Sequence, residues 1–275
     1  MKFDKINSWA KINLSLNVIK KLPNNYHRIE SLITFIQIFD EIKIRQILYK
    51  KNKIFFIGKF AKGIGKKNTV YKLMNLLEKE NIINNKKFEI LIKKNIPQES
   101  GMGGGSMNAA SLLKYFIKNK IAKISNNKAH ELAYKIGSDV PVGLEKKNSI
   151  LFKNNTLKRL NHKTNLHVLI VKPKINCSTR EIYKSINKYS KFLYKKKNKF
   201  YFNKVNLAKS GNDLERVVFK KYPKIKNLKE FLLTLPKTNF VRMTGSGSAI
   251  VAYFNSKKAV YAAARIFRRK YKNYW

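Results

Sequence analysis

Glycine fills four of the five positions from Gly101 to Gly105, within the run Pro97-Gln98-Glu99-Ser100-Gly101-Met102-Gly103-Gly104-Gly105-Ser106-Met107-Asn108. Apolar residues at 88–94 read as a strand, Pro97 ends it, and helical spacing begins at Ser106. In a strand-to-helix turn, N–H groups unobstructed by Cβ atoms can converge on an anion, and the helix N-terminus adds partial positive charge. Such a turn can cradle the phosphates of a nucleotide. The same glycines could instead let a helix pack closely on a strand. Three better-known loops do not fit. Gly105 is followed by Ser106-Met107 rather than the Lys-Ser/Thr of a P-loop, serine stands at 106 where a dinucleotide fingerprint needs glycine, and neither His-Arg-Asp nor Asp-Phe-Gly occurs.

Phosphoryl transfer to a hydroxyl calls for a carboxylate to accept the proton. Aspartate occurs only at Asp4, Asp40, Asp139 and Asp213, so the choice of an aspartate base is short. Two further short clusters interrupt a lysine- and asparagine-rich background: Ala10-Lys11-Ile12-Asn13 and Thr244-Gly245-Ser246-Gly247.

The elements that must position these groups read as strands at residues 31–47, 53–57 and 88–94, and as helices at 106–119 and 128–136. A lysine- and asparagine-rich stretch, 146–165, then separates a second series. It comprises a strand at 166–171, helices at 179–188, 212–220 and 225–235, strands at 240–244 and 249–254, and a final helix at 256–271. Both halves are α+β, with domains expected at 1–158 and 159–275. The lysine run 191–199 reads as a solvated loop.

At 275 residues and 44% hydrophobic, the chain can build a substantial core. The single cysteine, Cys177, can form no internal bridge, and the first residues lack the apolar run of a signal peptide, so a reducing cytoplasm is the expected compartment. No stretch approaches the ~18 apolar residues of a membrane span. The net charge of +45 is almost all lysine, with nine arginines, and accompanies heavy use of asparagine, isoleucine and tyrosine. That pattern reads as compositional drift, so neither a specific nucleic-acid partner nor a membrane partner is expected. An RNA-binding module is the alternative that the charge leaves open.

The stretch from Pro97 through Asn108-Ala109-Ala110 resembles the Pro-x-x-x-Gly-Leu-Gly-Gly-Gly-Ser-Ser-Asn-Ala-Ala motif of the GHMP kinases. Four further segments appear in that family's order. Ala10-Lys11-Ile12-Asn13-Leu14 and Asn25-Tyr26-His27 lie near the N-terminus, Gly137-Ser138-Asp139-Val140-Pro141-Val142 in mid-chain, and Thr244-Gly245-Ser246-Gly247 late. Within the superfamily they resemble the members that phosphorylate the C2 hydroxyl of a diphosphocytidyl methylerythritol; homoserine and mevalonate kinases are the rivals.

The resemblance implies a two-domain fold, with an N-terminal ribosomal-protein-like α/β domain, a C-terminal ferredoxin-like domain and the active site between them. It implies Asp139 as general base and Lys11 as its partner. ATP, with Mg²⁺, would be held by residues 97–108, with Asn68 and Lys94 at the positions that contact adenine. Asn13 would meet the sugar-like part of the acceptor. Tyr26 and His27 would read cytosine, opposite Tyr183 in the segment Ser178-Thr179-Arg180-Glu181-Ile182-Tyr183. Three departures stand out: Glu99 close to polyphosphate, Met107 in place of a serine, and Asn25 in place of a glycine.

Overall fold

A computed structural model of the protein describes residues 2–23, 26–162 and 164–275. The chain forms two compact units: one from Met1–Lys11, Phe35–Gln98 and Gly103–Lys146, the other from Ile12–Thr34, Glu99–Met102 and Lys147–Trp275. Where the sequence suggests a single division after residue 158, these units interleave. The cause is two long strands, β1 (Asp4–Lys21) and β2 (His27–Ile47), each of which contributes residues to both.

In the first unit, β3 (Lys53–Ile57) is followed by helix α1 (Thr69–Lys79), strand β4 (Lys87–Lys93), helices α2 (Gly104–Lys118) and α3 (Asn126–Ile136), and the single turn α4 (Val140–Gly143). β4 pairs antiparallel with the second half of β2, from Glu41↔Lys93 to Ile47↔Lys87, and parallel with β3. Helix α1 forms because Asn68 caps it and Val70, Leu73, Met74 and Leu77 recur on one buried face. Helix α3 repeats the device, with Ser125 as cap and Ala129, Leu132, Ala133 and Ile136 buried. These faces meet Ile42, Ile44, Phe88, Ile90 and Phe116 in one core.

The second unit holds β5 (Asn148–Leu151), β6 (Leu157–Leu160), β7 (His167–Val171), α5 (Thr179–Lys184), α6 (Lys204–Lys209), α7 (Leu214–Lys221), α8 (Pro223–Leu233), β8 (Thr238–Met243), β9 (Ile250–Phe254) and α9 (Lys257–Lys270). β7, β9 and β8 form an antiparallel sheet in that order. Its core joins Val171, Leu214, Leu228, Val241, Ile250, Ala263 and Phe267. Two expectations need correcting here. The stretch 146–165 is no plain separator, because it contains the β5–β6 hairpin, with β5 extending β2 through Ser31↔Leu151 and Ile33↔Ser149. The helix expected over 179–188 ends at Lys184, with Ser185 as its C-cap. Among the described residues, no helix is long and apolar enough to cross a membrane.

One buried group stands out energetically. Tyr253 is fully buried, stacked on Phe240 at 4.2 Å between ring centroids, and its hydroxyl has no hydrogen-bond partner. Burial pushes its phenol well above the ordinary value. An unpaired buried hydroxyl costs more than it returns. Tyr253→Phe is therefore expected to stabilise the protein by about 1 kcal/mol, read as a higher denaturant midpoint at unchanged slope. A lower midpoint would mean that the hydroxyl has a partner.

Candidate active site

Strand β1 alternates apolar Ala10, Ile12, Leu14, Leu16 and Val18 with polar Lys11, Asn13, Ser15 and Asn17, and the polar side chains are buried too. A strand that buries its polar face must supply partners for it. For Lys11, within the first unit, a partner is Asp139, with Nζ 3.1 Å from the carboxylate. Asp139 sits where α3, stopped at Gly137, gives way to α4, and its side chain caps neither helix. Lys11 is buried, whereas the Asp139 side chain is 39% exposed. The other three aspartates are engaged in holding the fold. Asp4 accepts from the Tyr115 hydroxyl at 2.5 Å, Asp40 is buried against Lys94, and Asp213 accepts from the Val18 N–H and the Ser190 hydroxyl. Asp139 is thus the aspartate with a cation behind it and an open side in front.

In the same unit, α2 begins at Gly103, whose φ of +69° suits glycine, and no side chain caps it. Its first N–H groups are left for another acceptor. The N-terminus of α1 meets it: the Thr69 hydroxyl donates to the Gly105 carbonyl at 2.7 Å. Neither helix carries an acidic residue in its first turn. Two helix dipoles therefore present their positive ends together at Gly105, which is exposed. A Cβ on Gly103 would lie 3.0 Å from Lys11 Cε, so the loop also packs on the catalytic lysine candidate.

Beneath this turn lies a buried polar network. Lys94 Nζ binds Asp40 and donates to Asn108 Oδ1 at 2.8 Å; Asn108 Nδ2 in turn donates to Ser8 and Asp40, each at 3.0 Å. Asp40 also accepts the N–H groups of Asn95 and Ile96. Burial pulls the Lys94 ammonium below its ordinary value, and the Asp40 carboxylate opposes that. The side chains of Lys94 and Asn108 are thereby occupied inside the fold, where they anchor the strand-to-helix turn. Asn68 is similarly engaged: its side-chain oxygen accepts from the N–H groups of Val70 and Tyr71, and its side-chain amide donates to the Gly65 carbonyl. Gln98 clips the loop outside by donating to the carbonyls of Phe60 and Lys62. Pro97, Ser100, Met102 and Met107 are buried, and Met107 packs on Gly143, where a Cβ would come within 3.0 Å of its sulfur.

The remaining candidates fall in the second unit. Asn13 donates through its backbone N–H to the Thr244 hydroxyl at 3.0 Å and through its amide to Ser31 at 2.8 Å. Thr179 and Ser246 share a 2.8 Å hydroxyl contact. The His27 ring lies 5.3 Å from that of Tyr183, and Tyr26 is exposed. His27 Nδ1 is buried with no partner. Gly101 is pressed against the Thr244–Gly247 turn. Glu99 adopts a left-handed φ of +47°, and its carbonyl accepts from Ser248 N–H at 3.1 Å. Asn25 lies outside the described residues.

The family model for the GHMP kinases N terminal domain matches residues 68–145, and that for GHMP kinases C terminal matches residues 202–273. The chain is 47% identical over 271 residues, 98% of its length and 96% of the relative's, to a 4-diphosphocytidyl-2-C-methyl-D-erythritol kinase of Pelagibacter ubique (strain HTCC1062). It belongs to that kinase family. The same named enzyme of Francisella philomiragia is 30% identical over 90% of the chain and 86% of its own length. A crystal structure of a 4-(cytidine 5'-diphospho)-2C-methyl-D-erythritol kinase superposes with a TM-score of 0.77 at 23% identity, covering 97% of this chain and 96% of the other. A homoserine kinase from Cytophaga hutchinsonii superposes at 0.68 and 16% identity, over 100% and 93%. At those identities the superpositions speak for the fold, which is the two-domain GHMP kinase fold.

In this small-molecule kinase, ATP is the co-substrate that the family uses. The structure brings Lys11, Asp139 and the Gly103–Ser106 turn together in one unit, and Asn13, His27, Thr179 and Tyr183 in the other. Sequence reasoning missed Asp40, Ser8 and Thr69, which hold the turn in place. Asp40 was legible as one of only four aspartates, but its partner Lys94 was one lysine among many.

Proposed function

We propose that this kinase transfers the γ-phosphoryl group of ATP to the C2 hydroxyl of 4-diphosphocytidyl-2-C-methyl-D-erythritol, giving the 2-phosphate, in the non-mevalonate route to isoprenoid precursors. The observation that carries the chemistry is the Lys11–Asp139 pair in the same unit as an uncapped, glycine-rich helix start. Asp139 accepts the hydroxyl proton as the oxygen attacks the γ-phosphorus; the bond to the β–γ bridging oxygen breaks and ADP leaves. Lys11 orients Asp139 and offsets charge on the attacking oxygen. The N–H groups at the start of α2 bind the phosphates, with the α1 dipole adding to theirs.

Among the described residues, no cluster of three or more His, Cys, Asp or Glu side chains is placed to hold a metal. That suits Mg²⁺, which keeps water and phosphate as most of its ligands and needs few from protein. Bound with ATP, the ion would neutralise phosphate charge. The decisive assay offers the diphosphocytidyl alcohol, homoserine and mevalonate in parallel. Turnover of either rival without turnover of the first would overturn the assignment.

His27 reads the cytosine edge, beside Tyr26 and Tyr183. Burial, and then the nearby Lys21 ammonium, push His27 below its ordinary value of 6.5, so the ring is neutral at neutral pH and keeps one donor and one acceptor nitrogen. Protonation removes the acceptor. The KM for the cytidyl substrate should therefore be flat above pH 6.5 and rise as pH falls through the depressed value. A KM that stays level across the pH range in which NMR shows the His27 ring taking up its proton would take His27 out of base recognition.

A further inference from the structure

Behind His27 runs a segment that is latched at several points to the polar residues of β1 and β2. The Ser190 N–H donates to the Val18 carbonyl at 2.8 Å, and its hydroxyl donates to Asp213 at 3.0 Å. Asp213 in turn accepts the Val18 N–H at 2.6 Å. Farther along, one oxygen of Glu30 accepts the N–H groups of Leu193 at 2.8 Å and Tyr194 at 3.4 Å. The Tyr194 hydroxyl closes onto Ser15 at 2.6 Å. Glu30, Ser15 and Tyr194 are all buried, and the second Glu30 oxygen has no partner. A carboxylate is costly to bury, and here it receives backbone N–H groups of a segment without helix or strand of its own.

The first residue of this segment, Tyr189, is the one that faces His27. Its ring lies 6.5 Å from the imidazole centroid at an interplanar angle of 28°, while Tyr183 lies at 5.3 Å and 41°. His27 is thus flanked by two tyrosines, and Tyr189 keeps 45% of its surface exposed. An exposed aromatic held in place by a buried latch is suited to a flat ligand, because its ring pays little ordering entropy on contact.

We propose that residues 189–194 form a strap in which Tyr189 is an additional specificity residue for the pyrimidine of the acceptor, and that Glu30 is its positioning residue. This rests on the reading of His27 as the base reader. Tyr189 supplies ring surface, and Glu30 fixes the strap without touching substrate.

Kinetics of the full-length enzyme test it with the diphosphocytidyl alcohol and ATP varied in turn. Tyr189→Leu should raise the KM for the cytidyl substrate about tenfold, in line with a lost base–aromatic contact. The KM for ATP should stay within twofold, and Tyr189→Phe, which keeps the ring, should recover most of the loss. Glu30→Gln retains an oxygen for the two N–H groups and should resemble the parent. Glu30→Leu should release the strap and raise the same KM, with no further rise on adding Tyr189→Leu. Because Glu30→Leu risks misfolding, the exposed Tyr189 pair carries the test by itself. An unchanged cytidyl KM in Tyr189→Leu, or an equal rise in the KM for ATP, overturns the proposal. His27→Ala run alongside separates the two readings. If it raises the cytidyl KM while Tyr189→Leu does not, the strap alone fails; if neither does, the base reader fails with it.

Discussion

Asp139→Asn is expected to lower kcat about a thousandfold while the KM for ATP changes by no more than a few-fold. General-base contributions run from about a hundredfold to ten-thousandfold, and a thousandfold loss corresponds to about 4 kcal/mol of transition-state stabilisation. Asparagine keeps the shape of the side chain and an oxygen within reach of Lys11, so the change removes basicity and charge while disturbing packing little. Several observations make Asp139 the group to test. It lies 3.1 Å from a buried lysine, it caps neither neighbouring helix, and it remains partly open to solvent. The loop that would bind the ATP phosphates begins at Gly103, against Lys11 itself, so ATP affinity reports whether the loop survives the substitution. Asp4→Asn is the matched control, since Asp4 pairs with Tyr115 at the surface and should leave kcat as it is. Single-turnover rates with saturating ATP separate chemistry from product release. Turnover of Asp139→Asn equal to the parent would remove Asp139 from the mechanism and leave Lys11 to be explained as a packing residue of the loop.

How far the sequence carried this reading depended on whether a residue's partner was rare. Part of the first unit is legible from periodicity: α3 follows Ala129, Leu132, Ala133 and Ile136, and β4 alternates buried Phe88, Ile90 and Ile92, whereas β1 and α1 are not among the expected elements. The β5–β6 hairpin is not legible either, because its lysines and asparagines look like a linker; what orders it is the pairing of β5 with β2, a contact distant in sequence. Strand β1 is more instructive. Its alternation is regular from Ala10 to Val18, yet a reading that expects polar residues to face water assigns it no special role. Burial of Lys11, Asn13, Ser15 and Asn17 together turns that alternation into a line of groups needing partners, and Asp139, Ser31 and Tyr194 are among those the fold supplies. For Lys94 the sequence suggests a contact to adenine, and the fold shows what else its side chain meets. Placed before the glycine turn, it reads as a ligand contact, but its ammonium is satisfied internally by Asp40 and Asn108. Lysine is too abundant here for position alone to separate the two.

Gly101→Ala should destabilise the protein by more than about 3 kcal/mol, a loss reserved for a few mechanisms among single substitutions. An alanine Cβ there would stand 1.9 Å from the Thr244 carbonyl oxygen, 2.8 Å from its carbon and 3.2 Å from the Gly247 nitrogen. All three are backbone atoms, so no side-chain rotation relieves the overlap. The φ of +72° adds strain of its own for any residue with a Cβ. The contact is reciprocal, for a Cβ on Gly245 would lie 2.9 Å from the Gly101 oxygen. The first glycine of the loop and the late Thr244-Gly245-Ser246-Gly247 turn are therefore one backbone-to-backbone contact within the second unit, although 143 residues separate Gly101 from Thr244. For a chain of this size each kcal/mol moves Tm by roughly 2–4 °C, so a fall of about 6 °C or more is expected in thermal unfolding. Gly103→Ala gives the contrast: it shares the strain of a left-handed φ, +69°, but its Cβ would meet the flexible methylenes of Lys11, which can shift, at the cost of moving the Lys11 ammonium from Asp139. It should lose activity out of proportion to stability, whereas Gly101→Ala should lose both. Equal Tm for Gly101→Ala and the parent would mean that the turn opens to admit a methyl group, and that close backbone approach is not what Gly101 is for.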